Sequence, residues 1–153
     1  MYRSNKEIVE APEVEKLGDQ VIQDKGLALD DIGIHYIKVY PNLSKTKVAT
    51  CRVANHREHH FTGGADYIIS VSGDIWDNLD DKRKEILIWH ELEHIKPEFN
   101  EKKGEYNYKL RNHDIEDFQN IIEKHGVDWF DDMKEIVASF HDMDPDRKQK
   151  IRI

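Results

Sequence analysis

The chain has 153 residues, the common size of one domain, and 35% of them are charged. Acidic residues outnumber basic ones, 31 to 23, and the net charge of -8 argues against nucleic acid, whose binding rests on neutralising phosphates with Lys and Arg. No stretch approaches the ~20 apolar residues of a membrane span, the N-terminus lacks the apolar run of a secretory signal, and the single cysteine, Cys51, excludes an internal disulfide and fits a reducing, cytoplasmic setting.

Residues 12–25 are predicted to form an amphipathic helix, with Pro12 at its first position, Gly26 at its stop, and Val14, Leu17, Val21 and Ile22 on one stripe. Residues 34–40 are β-branched and aromatic and end at Pro41-Asn42, which predicts a strand and a turn. A second strand covers 47–54, with Ala49, Cys51 and Val53 on one face and Cys51 acting as a small hydrophobe. The block Asn55-His56-Arg57-Glu58-His59-His60 is expected to be a polar loop or strand end, because neighbours on a strand alternate faces and cannot close a tight metal site. Residues 65–72 alternate cleanly, with Tyr67, Ile69 and Val71 on one side and Asp66, Ser70 and Ser72 on the other. A short helical turn at 74–79 follows. Asp80 then caps a helix expected to run from Asp81 to Ile95, with Pro97 ending it.

Residues 96–112 are polar and are expected to form a loop with a short extended piece at 106–110. A helix from 112 or 114 carries Ile115, Phe118 and Ile122, and Gly126 punctuates it. A last helix from about Asp128 carries Trp129, Met133, Ile136, Val137 and Phe140 as core, and the basic residues within 144–153 form a solvated, flexible tail. This order predicts a single α+β domain over 1–153, with a small mixed sheet of three to four strands packed on helices.

The chemistry gathers at His90-Glu91-Leu92-Glu93-His94. Histidines four apart share one helix face, while Ile88, Leu92 and Ile95 fall on the opposite one. The spacing is the H-E-x-x-H arrangement of zinc hydrolases. Neutral imidazoles suit a borderline-soft ion, which leaves a position for water and lowers its pKa so that a carboxylate can take its proton. A helix that is only a solvated strut has no need of such a division of faces. Glu93 also fits the inverted H-x-x-E-H pattern. Glu91 and Glu93 lie ~80° to either side of the histidine pair, so helix geometry leaves both open.

A third ligand is sought among His113, Asp114, Glu116, Asp117, Glu123 and His125. His113 opens a helix nineteen residues past His94, a gap long enough for the chain to turn back. Asp117, four residues on, could accept a hydrogen bond from the ligand imidazole and fix its tautomer, and Asp114 is a weaker candidate for that work. His35, His125 and His141 are read as structural.

These stretches, with Gly64-Ala65-Asp66-Tyr67, His113-Asp114-Ile115-Glu116-Asp117-Phe118 and Gly126-Val127-Asp128-Trp129, resemble the phage metallopeptidase family over most of residues 30–130. The chain is more distantly similar to SprT-like peptidases, which follow their later histidine with an aromatic; Phe118 is its counterpart here. The resemblance implies a zincin-like fold, a zinc ion held by His90, His94 and His113, and proteolysis of a protein or peptide substrate in the cytoplasm, that of the host cell if the chain is phage-encoded. It favours Glu91 as general base and leaves Glu93 as a supporting carboxylate. The strand at 66–72 is expected to pair with the substrate along its edge, with Tyr106 or Tyr108 as oxyanion donors. The alternative is a catalytically silent, zinc-stabilised binding module that blocks a host factor.

Overall fold

The computed structural model describes residues 5–111. The helices expected beyond 112 and the tail at 144–153 lie outside the described residues.

Helix α1 (Pro12–Lys25) starts and stops where its punctuation dictates. Pro12 has no N–H to leave unsatisfied in the first turn. Gly26 takes φ 62°, and the bonds Gly26 N–H to Gln23 O (3.3 Å) and Leu27 N–H to Ile22 O (3.0 Å) close the end. Gly18 answers to packing instead: a Cβ there would fall 2.2 Å from the Tyr36 hydroxyl oxygen. The tyrosine ring therefore lies directly on the helix.

Strands β1 (Glu7–Glu10), β2 (Ile34–Tyr40), β3 (Ala49–Val53) and β4 (Tyr67–Ser72) form one mixed sheet in the order β1-β2-β4-β3. β2 runs parallel to β4, while β1 and β3 run antiparallel to their neighbours. Tyr36, Ile69 and Cys51 lie opposite one another across the register. The expected α+β class with a small mixed sheet is met. One expectation about β4 is corrected. The strand is hydrogen-bonded along both edges, so it has no edge to offer a peptide. Its polar face is also buried: Ser72 accepts from Leu43 N–H (2.9 Å) and donates to Lys47 O (2.6 Å). Next to β4, Asp66 accepts from Gly33 N–H (2.9 Å).

The block expected to be a loop is helix α2 (His56–Phe61). Asn55 and Glu58 cap it reciprocally, Glu58 N–H to Asn55 Oδ1 at 2.9 Å and Asn55 N–H to Glu58 Oε1 at 3.0 Å. Helix α3 (Gly73–Asp77) is the expected short turn. Helix α4 (Asp81–Glu93) begins at Asp80, whose carboxylate accepts from Arg83 N–H at 2.8 Å. It stops two residues short of Ile95. The segment read as a loop is a hairpin of β5 (Ile95–Asn100) and β6 (Glu105–Leu110). Ile95, Pro97 and Phe99 lie opposite Leu110, Tyr108 and Tyr106, a period-two pattern that outweighs the polar composition. Among the described residues β5 is paired on one side only, the setting in which a strand tolerates Pro97.

Val14 and Val21 of α1 and Leu87, Ile88 and Leu92 of α4 share one core with Tyr36, Ala49, Ile69 and Val71. The two helices thus cover one face of the sheet and each other. Each fully buried aliphatic side chain contributes roughly 1.5–3 kcal/mol. This core holds the C-terminal end of α4 in place.

Candidate metal centre

The last two turns of α4 are buried all round. Residues 86–93 are buried without exception, so the face expected to carry the site lies inside along with the core face. The buried polar groups are His90, Glu91 and Glu93, joined by His94 at the helix end. His94 N–H bonds the Glu91 carbonyl (3.2 Å), which tightens the final turn before the chain enters β5.

One donor atom each from His90, Glu91 and His94 lies within 4.8 Å of the others. The two imidazole centroids are 5.0 Å apart, with the rings nearly perpendicular. His94 Nδ1 is 2.7 Å from the Arg111 carbonyl oxygen. A carbonyl only accepts, so Nδ1 carries the hydrogen and Nε2 keeps a lone pair for a ligand.

Glu91 is 1% exposed, and its Oε1 has no hydrogen-bond partner among the described residues. Burial raises its pKa from 4.5 to about 8. A carboxylate in this position needs a neighbouring positive charge to stay ionised, and a divalent cation would supply it. Cys51, the single cysteine, lies on β3. Burial first, and the Glu91 charge second, push its pKa well above the ordinary value, as expected of a packed hydrophobe.

Glu93 faces different work. Its Oε1 accepts from Trp89 Nε1 (3.0 Å) and its Oε2 pairs with Arg111 Nη1 (3.3 Å). Both oxygens are therefore engaged, whereas Glu91 joins the imidazoles. This separates two carboxylates that helix geometry left equivalent. Sequence reasoning missed Trp89 and Arg111. The Trp89–Glu93 spacing of four was a readable signal; the partner eighteen residues on was not.

The hairpin closes over this end of the sheet: Tyr67 hydroxyl donates to Lys109 O (2.8 Å), and the Tyr67 and Tyr108 rings meet edge to face at 5.8 Å. Tyr106 packs on Phe99 and Tyr108. His35 pairs with Glu10 (3.1 Å), and His59 Nδ1 lies 3.0 Å from Ala65 O. Neither belongs to the cluster. His113, Asp114 and Asp117 lie outside the described residues. No helix among the described residues is long and apolar enough to cross a membrane.

The donor set fits a metal ion. Tetrahedral coordination at ~2.0–2.1 Å places donors about 3.4 Å apart, and the three donor atoms lie within 4.8 Å of one another. A small α+β domain with a buried imidazole–carboxylate–imidazole cluster at a helix end defines a class, that of helix-borne metal sites. The chain belongs to the putative phage metallopeptidase family, whose model matches residues 6–141, a span that includes His113. No curated protein and no solved structure matches it. Family and cluster together indicate a metal and a protein or peptide substrate.

Proposed function

We propose that the chain is a zinc-dependent peptidase in which His90, His94 and His113 hold the ion and Glu91 is the general base. The observation that carries this reading is the buried cluster itself, with a Glu91 oxygen that has no partner among the described residues beside two imidazoles. The reading of His113 is supported by chain reach. Arg111 N–H bonds His94 O at 2.6 Å, so residue 111 lies against the site, and two further residues span at most about 7 Å. Asp117, or Asp114, would accept a hydrogen bond from the far nitrogen of His113 and fix its ring.

When bound, zinc supplies a Lewis acid for the scissile carbonyl and lowers the pKa of the attacking water. Glu91 takes the proton of that water and passes it to the leaving amine. Burial of Glu91 sharpens this role, since bulk water cannot compete for the proton. Among the described residues β3 is hydrogen-bonded on one side only, and it lies against α4. An extended substrate would add to that edge, in place of the β4 edge expected from sequence.

The test is Glu91→Gln, assayed on denatured casein and a mixed peptide library. The variant is expected to keep its zinc and lose turnover by about 10²–10⁴-fold. Retained turnover rejects the assigned base. A wild-type chain that binds zinc, cleaves nothing and unfolds on chelation is the silent binding module instead.

A further inference from the structure

The geometry points to Arg111 as a positioning residue for the metal centre: clamped by Glu93, it holds its own carbonyl on His94 and so fixes the imidazole with Nε2 turned to the ion. This inference rests on the reading of His94 as a ligand.

His94 stands past the last residue of α4 and before the first of β5. Residue 111 grips it twice. Arg111 N–H donates to the His94 carbonyl (2.6 Å), and the Arg111 carbonyl accepts from His94 Nδ1–H (2.7 Å). The β5–β6 ladder ends at the pair Ile95–Leu110, one position short of this grip. Beyond the ladder, the side chain of Arg111 reaches back to α4, on Glu93 Oε2 at 3.3 Å. Glu93 is itself held by Trp89 one turn earlier, so the clamp is anchored in the buried face of the site helix. An unsupported imidazole samples both neutral tautomers, and one of them puts hydrogen where the ion must bind. A lysine at 111 would offer Glu93 a single mobile charge in place of a rigid fork.

The test uses the full chain, metal-free and ¹⁵N-labelled, at pH about 8.5, some two units above an ordinary imidazole. Long-range ¹H–¹⁵N correlation reads the tautomer of His94 directly. The wild type is expected to show Nδ1–H alone. Arg111→Ala and Glu93→Gln are expected to give a tautomer mixture and to weaken zinc binding by about 10–100-fold, with Arg111→Lys recovering part of both. An unchanged tautomer and unchanged zinc affinity in Arg111→Ala and Glu93→Gln overturn the inference. Should Arg111→Ala fail to fold, Glu93→Gln decides, because it keeps an acceptor for Trp89. A wild type that binds no zinc defeats the proposed function, yet the tautomer comparison still decides this inference.

Discussion

Residues 55–60 and 89–94 are both short blocks of histidine and glutamate, and they came to opposite ends. The first is helix α2, with no buried residue, where Glu58 pairs with Arg52 and caps the helix. The second is the buried end of α4. Glu58 is pulled down to about 2, first by the Arg52 guanidinium and then by the Asn55 N–H. Glu91 is pushed up to about 8 by burial alone. Both blocks hold histidine and glutamate, so those residue types alone do not make the site. Spacing along a helix and removal from water do.

The largest expected effect breaks the comparison at its centre. His90→Ala or His94→Ala should lower zinc affinity by more than the ~10–100-fold typical of a supporting contact, while His59→Ala should leave it unchanged. Titration calorimetry on chelator-treated protein measures both, and an equal loss in His59→Ala would erase the distinction between the blocks. The next effect concerns packing. Leu92, between the two glutamates, is 1% exposed, and Phe61 at the end of α2 is 83% exposed. Leu92→Ala should cost about 2–5 kcal/mol in denaturant melts, and Phe61→Ala should stay within about 0.5 kcal/mol.

Much of this contrast was legible in the residues. Pro12 and Gly26 bounded α1, Asp80 marked the start of α4, and the spacing of four paired His90 with His94. The end of α4 was not legible. Leu92-Glu93-His94-Ile95 carries no glycine or proline, so local preference continues the helix. The stop comes from partners distant in sequence, Arg111 on His94 and the hairpin on Tyr67. The burial of Ser72 likewise depends on Leu43 and Lys47, which no window of sequence joins to it. The cap of α2 is different: Asn55-x-x-Glu58 is a readable box, hidden by the expectation that a polar stretch between strands is a loop. The histidine expected to complete the site, His113, lies outside the described residues, so the third ligand rests on chain reach and on the family.

The smallest effects test whether α2 stands on that box. Asn55→Ala should cost about 1 kcal/mol, the usual worth of such a cap. The Glu58 contribution depends on pH with a definite sign. Its folded pKa, about 2, lies below the ordinary 4.5, so its stabilisation is full above pH 4.5 and is lost as pH falls from there toward 2. Because the Arg52–Glu58 pair is solvent-exposed, the amplitude should stay below about 1 kcal/mol and shrink with added salt. Acid titration of stability in the wild type and Glu58→Gln isolates it as the difference between the two curves. A difference that stays unchanged as pH falls toward 2, or ignores salt, would mean that Glu58 supports the fold by something other than its charge.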